Sequence, residues 1–108
     1  MIDFTEIIGF DWDRGNRRKN ADKRGVSESE AEQVFLNHPL LLAEDAGHSQ
    51  TERRFHALGV TILGRKSHIT FTLRGEGTLI RIISVRDMHQ KERAYYDRET
   101  EIGSRLLH

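Results

Sequence analysis

The stretch Thr78-Leu79-Ile80-Arg81-Ile82-Ile83-Ser84-Val85-Arg86-Asp87 decides the fold. Its apolar residues are interrupted only by Arg81 and Ser84, so both strand phases are apolar. That pattern reads as a central strand covered on both faces. Arg81 then lies where a guanidinium needs a partner or a ligand, because burying a lone charge is costly. The plainer alternative is a side chain whose stem packs while its head pairs with a carboxylate. Beyond the strand, Asp87 with Gln90 three residues on reads as a capping box for a helix over residues 88–101. Met88, Ala94, Tyr95 and Ile102 form its narrow apolar stripe, and residues 103–108 are expected to fray.

Working back from this strand, Arg74-Gly75-Glu76-Gly77 is a tight hairpin signal. In residues 67–73, Ile69, Phe71 and Leu73 share one phase, with His68, Thr70 and Thr72 opposite. In residues 53–58, Phe55 and Ala57 share one face while Arg54 and His56 share the other. Residues 60–64, bracketed by Gly59 and Gly64, either extend that strand or form the connection. Residues 44–51 read as a loop around Gly47, and residues 40–43 as a short strand.

The N-terminal third is expected to hold an edge strand over residues 7–12 and two helices. Asp13 caps the first helix, residues 14–24, which Gly25 ends. Ala21 is its only small apolar residue, so its neighbours, ionic contacts or a partner must hold it. The second, residues 28–36, opens with a Ser27–Glu30 capping box and a Val26–Ala31 staple. It buries Ala31, Val34 and Phe35, with Leu36 at the margin, and Pro39 ends it. The sum is a single α+β domain spanning residues 1–108: an antiparallel sheet packed by two N-terminal helices and a C-terminal helix. One sheet face takes the helices. The other holds Arg54 and His56, with Arg81 beside them.

Composition narrows the chemistry. The chain has 108 residues, 36% hydrophobic and 31% charged, which suits one polar domain. No stretch approaches a membrane span and no signal-peptide pattern opens the chain, so a cytoplasmic protein is expected. Cysteine is absent, which excludes disulfides and thiolate metal sites. The 17 basic and 17 acidic residues cancel, so any nucleic-acid surface must come from charge placement. Arg14, Arg17, Arg18, Lys19, Lys23 and Arg24 crowd one segment, opposed there only by Asp22. The following Glu28, Glu30 and Glu32 read as a solvated acidic face.

The six histidines show no helical pair spacing and adjoin no carboxylate cluster of the kind that binds zinc. There is no phosphate-binding glycine loop and no nucleophile elbow. Arg, Lys and His on strands remain. Such a set suits phosphate chemistry, arginine holding non-bridging oxygens while a histidine or carboxylate moves protons. On composition alone, pairing of Arg54 and Arg81 with acids such as Glu52 is the stronger reading.

A wider set of residues resembles one family. Phe10-Asp11-Trp12-Asp13, then Asn20, Lys23, Gly25, Val26-Ser27 and Ala31, is similar to the opening of BrnT-family toxins. The likeness continues through Asp45, His48-Ser49, Glu52, Arg54-Phe55 and Gly59. It ends at Arg81-Ile82-Ile83-Ser84, Arg86, Glu92-Arg93 and Tyr96. The resemblance implies a RelE-like fold and a ribonuclease toxin of a type II toxin–antitoxin pair. It implies an RNA substrate and a BrnA-like antitoxin, two copies of each in the complex. The reaction expected is metal-independent and cofactor-free attack of the RNA 2′-hydroxyl on the adjacent phosphate. Arg54 and Arg81 are then the phosphate and transition-state contacts, with Arg86 a third. His56 or Glu52 takes the proton, and Lys23, with Arg17 and Lys19, binds the RNA backbone. The chain departs from the family at Asn16, where relatives often carry lysine, at Arg24, where they carry histidine, and at Val85, where they carry alanine. Lys19 or Arg17 would have to replace the missing lysine. The alternative is a catalytically inactive RNA- or antitoxin-binding module of the same fold, which loss of the strand arginines would favour; they are present.

Overall fold

The computed structural model describes residues 2, 4–12, 27–48 and 52–106, with residues 48 and 102–106 described by backbone alone. Strands β1 (Gly9–Asp11), β2 (Leu41–Glu44), β3 (Phe55–Val60), β4 (Lys66–Arg74) and β5 (Leu79–Asp87) build one sheet in the order β1-β5-β4-β3-β2. Helices α1 (Glu28–Leu36) and α2 (Gln90–Leu106) complete the α+β architecture. The expected helix over residues 14–24 lies outside the described residues, as do Val26 of the staple and the candidate RNA-binding residues Arg17, Lys19 and Lys23. Among the described residues no helix is long and apolar enough to cross a membrane.

Strands β2 to β5 run antiparallel, as expected for a meander. β1 does not. It pairs parallel to β5, with Phe10 opposite Ile80 and Asp11 opposite Arg81, so the sheet is mixed rather than antiparallel. A tight turn forces two strands antiparallel, whereas β1 reaches β5 across most of the chain and no hairpin fixes its direction.

The apolar run in β5 has a different cause from the one expected. Thr70 pairs with Ser84 and Phe71 with Ile82, so Ile83 has no partner on β4 and forms a bulge. The extra residue reverses the alternation. Ile80, Ile82 and Val85 consequently all reach one face, each with at most 1% of its surface exposed. Arg81, Ser84 and Arg86 take the other. The strand is therefore internal but not covered on both faces.

The covered face is the core. Phe55 and Ala57 from β3, Ile69 and Phe71 from β4 and the three β5 residues meet Ala31, Val34 and Phe35 of α1. Phe35 sets its ring edge against Phe71 at 5.0 Å, and Phe71 stacks on Phe55 at 5.5 Å. Each aromatic pair adds about 0.5–1.5 kcal/mol beyond the area buried. Gly59 lets the helix come this close, since a Cβ there would lie 2.8 Å from Val34 Cγ1. Both halves of the Ser27–Glu30 capping box are present. Leu36 points outward instead, 77% exposed.

Helix α2 begins later than the capping pattern implied. Asp87 ends β5 and pairs with Arg65. Glu92 instead accepts the His89 backbone N–H at 2.8 Å, the reciprocal arm of a capping box two residues further on. The helical backbone continues through Gly103 to Leu106, past the expected fraying point. Its buried anchors are Met88 and Tyr96, whose hydroxyl donates to the Pro39 carbonyl at 2.6 Å. Ala94 is exposed and Tyr95 is 48% exposed, so the stripe is displaced by one residue. A helix anchored through one hydroxyl and one methionine shows little periodic apolar signal.

Candidate active site

The face opposite α1 is a small lattice of polar side chains. Register places Leu58, His68 and Arg86 in one row, and His56, Thr70 and Ser84 in the next. Continuing the same pairing brings Arg54, just before β3, beside Thr72, which is itself opposite Arg81. Asp11 of β1 closes that row. Rows on one face lie about 6.6 Å apart and strands about 4.8 Å apart. By register Arg54 and Arg81 thus flank Thr72, itself only 2% exposed, and the strip between the two cations, a trough in register terms, is one residue wide. Thr72 is pinned by donating to the Arg53 carbonyl at 2.6 Å.

His56 lies one row along. Its Nε2 is 3.0 Å from Asp45 Oδ2 and its Nδ1 is 3.1 Å from the Thr70 hydroxyl. An ionised carboxylate only accepts, so Nε2 carries the proton toward Asp45 and Nδ1 is left to accept from Thr70. Asp45 therefore fixes both the ring orientation and the tautomer. The sequence marks residues 44–51 only as a loop; the Asp45 backbone N–H donates to the Arg54 carbonyl at 2.8 Å, which brings the carboxylate over β3.

Glu52 is hydrogen-bonded by Arg74, and that bond holds its carboxyl below the usual range. The charges of Arg54 and Arg81 push in the same direction, more weakly. The expected pairing of Glu52 thus goes chiefly to Arg74. Arg81 lies 3.8 Å from Asp11 with its side chain 28% exposed. This pairing and the open face give Arg81 the exposure a ligand would need without leaving it uncompensated.

At the far end, Arg86 makes two hydrogen bonds to Glu92, at 2.8 and 2.9 Å. This bond is the first cause that lowers the Glu92 carboxyl to about 2. His68 sits between, its ring 4.8 Å from that of His56 and its Nε2 3.7 Å from Glu92. Burial, aided by Arg86, lowers His68 to about 4, so it is neutral near pH 7. Its Nδ1 has no hydrogen-bond partner among the described residues.

Five sequence candidates, Arg54, His56, Glu52, Arg81 and Arg86, therefore share one face, although Arg86 stands two rows from Arg81 and is engaged by Glu92. Asp45 and Glu92 belong to the family resemblance, and Thr70, Arg74 and His68 to the strand and turn patterns, but the sequence assigns none of them a role at the site. The alternation of His68, Thr70 and Thr72 signalled part of this set; the carboxylate partners come through strand register and offered no local signal. Among the described residues, no group of three or more His, Asp or Glu is placed to hold a metal ion.

Comparison with known proteins gives two findings. Residues 12–92 match the family model described as the ribonuclease toxin BrnT of type II toxin–antitoxin systems. The fold is similar to the crystal structure of the Brucella abortus ribonuclease toxin BrnT, with a TM-score of 0.57 at 21% identity, over 77% of this chain and 99% of that one. No protein of curated function matches the sequence.

Proposed function

The chain belongs to the BrnT family of ribonuclease toxins of type II toxin–antitoxin systems, and from that premise we propose that it cleaves RNA on the open sheet face by metal-independent 2′-hydroxyl attack. The observation carrying this reading is the row Arg54–Thr72–Arg81 with His56 one row away. A phosphodiester in the trough receives guanidinium contacts from both sides, where they stabilise the charge that develops on the phosphorane. The site thus supplies from side chains the positive charge that a metal supplies elsewhere.

His56 is the better proton acceptor of the two candidates. Glu52 is held below the usual carboxylate range and surrounded by cations, which makes it a weak base. His56 presents its lone pair at Nδ1, and the 2′-hydroxyl takes the place of the Thr70 hydroxyl there. Asp45 steadies the imidazolium that forms, and as the P–O5′ bond breaks the departing 5′-oxygen takes a proton from solvent. Glu52 then positions Arg74 and keeps the cation cluster together, and Arg86 acts from the second end of the face.

Family membership implies an antitoxin. We take it to be BrnA-like, two copies bound to two toxins in the cytoplasm, covering the positive surface that RNA would use. The RelE-like relationship belongs to the same reading, supported by a sheet with α1 packed on one face and, on the other, a basic surface that α2 covers at one end. The test is cleavage of RNA by purified protein in excess EDTA, with the matching DNA spared and 2′,3′-cyclic phosphate ends formed. Activity lost to chelator and restored by a divalent ion would sink the mechanism.

A further inference from the structure

Beyond His56 the open face does not end; it deepens. A cleft of about 210 Å³ runs between the β2 edge, β3 and α2, lined by Leu41, Leu42, Leu58, His56, His68, Glu92 and Tyr95, with Ala43 at its rim. At about 30 Å³ per water it has the room of about seven waters, below the few hundred Å³ typical of pockets for larger ligands. That is space for one flat heterocycle. Its walls fit one too: three leucines, and a Tyr95 ring 48% exposed with the Arg98 guanidinium 5.6 Å from its centroid.

We infer that this cleft is a nucleobase subsite, receiving an unpaired RNA base that carries an exocyclic amino group, from the nucleotide adjoining the scissile phosphate. The inference rests on the ribonuclease reading above. Three observations carry it. First, His56 forms both a wall of the cleft and a neighbour of the Arg54–Arg81 trough, so a nucleotide whose phosphate lies in the trough has its base within reach of the cleft. Second, a half-exposed aromatic beside leucines offers the sequence-tolerant stacking that single-stranded RNA uses. Third, the inner end is polar and acceptor-bearing. Glu92 is ionised, so it only accepts, and among the described residues its Oε2 takes one hydrogen bond, from Arg86, with His68 Nε2 3.7 Å away. A carboxylate oxygen with a lone pair remaining pairs with an amino donor and is repelled by the carbonyl-flanked edge of uracil. His68 is nine-tenths buried and its Nδ1 has no partner among the described residues, leaving an imidazole fixed against the same end.

The test titrates the full chain with guanosine 3′-monophosphate, uridine 3′-monophosphate and ribose 5-phosphate, and maps RNA cut sites with the same protein. Guanosine should bind about tenfold tighter than uridine, and ribose phosphate weakest. Tyr95→Ala, at a half-exposed position, should keep the melting midpoint, weaken guanosine binding about tenfold, raise KM more than it lowers kcat, and blur the cut-site preference. Uridine binding as tightly as guanosine, or Tyr95→Ala leaving affinity and cut sites unchanged, would overturn the subsite. So would a Tyr95→Ala protein that cleaves normally but loses affinity for the antitoxin, which would make the cleft a protein contact. Base-dependent binding without any cleavage of RNA would keep the subsite and sink the ribonuclease mechanism instead.

Discussion

On one face of the sheet, Ile69, Phe71, Ile80 and Ile82 lie under α1 and are at most 1% exposed. On the other lie His68, Thr70, Thr72, Arg74, Arg81 and Arg86, where Arg81 pairs with Asp11, Arg74 with Glu52, and Arg86 and His68 with Glu92. The same strands supply both sides. Burial is non-directional and tolerates exchange of shape-matched apolar groups, whereas the open face depends on particular donors at particular angles. Stability should therefore come mostly from the first face and chemistry from the second.

The strongest way to break that division is at Phe71, which touches both Phe35 and Phe55. Phe71→Ala should cost about 3–5 kcal/mol of stability in urea unfolding, and any loss of cleavage should follow the folded fraction. A small cost would mean the core is not where the fold is held.

Arg81→Ala tests the other side. Cleavage should fall about 10²–10³-fold, while the unfolding free energy moves by less than about 1 kcal/mol, the range of a part-exposed pair. Arg81→Lys should restore little, since a point charge does not reproduce the guanidinium fork. A stability loss of about 3–5 kcal/mol, as for a buried pair broken on one side, would make Arg81 structural.

The boundary between the faces has its own signature in acid. His68 titrates near 6.5 when unfolded and about 4 when folded. Between those values the unfolded chain binds the extra proton, so stability is intact above about pH 6.5 and falls as pH drops toward 4. Glu92, lowered to about 2, continues the loss below pH 4.5, as its carboxylate takes a proton more readily unfolded. His68→Gln should flatten the upper part of this profile, removing about 1–3 kcal/mol of pH dependence. An unchanged slope between pH 6.5 and 4 would defeat the assignment.

The smallest effect is expected at Lys66, whose Nζ lies 2.7 Å from Asp97 of α2 with both side chains well exposed. Lys66→Ala should change stability by less than about 1 kcal/mol. A larger loss would show that ion pairs on the open face help hold α2 in place.

How much of this could be read from residues alone follows from the range of each interaction. The alternation in β3 and β4, the Arg74–Gly77 hairpin and the Ser27–Glu30 cap are local, and each appears where its pattern predicts. The direction of β1 is not local, because Gly9 to Asp11 meets its partner some seventy residues later. Tyr95 and Tyr96 are chemically alike, and which is buried depends on how the helix sits: the Tyr96 hydroxyl reaches the Pro39 carbonyl while Tyr95 stays half exposed. At the site, the placing of Arg54 and His56 on one face followed from strand period. Asp45 and Glu92 did not, because they reach His56 and Arg86 from a loop and a helix whose positions no periodicity encodes.

The unpaired Ile83 has a consequence of arithmetic. Arg81 and Arg86 are five apart, an odd interval, and on a regular strand an odd interval sends two side chains to opposite sides. One of the two arginines would then have to enter the core. The extra residue changes the parity, so β5 is numbered differently before and after it, even positions apolar on one half and odd on the other. Threading this sequence, Ile83 included, onto an unbroken strand could keep either arginine on the open face but never both. Deleting Ile83 alone would instead bring the two arginines to an even interval and leave a regular strand with every remaining side chain on its present face.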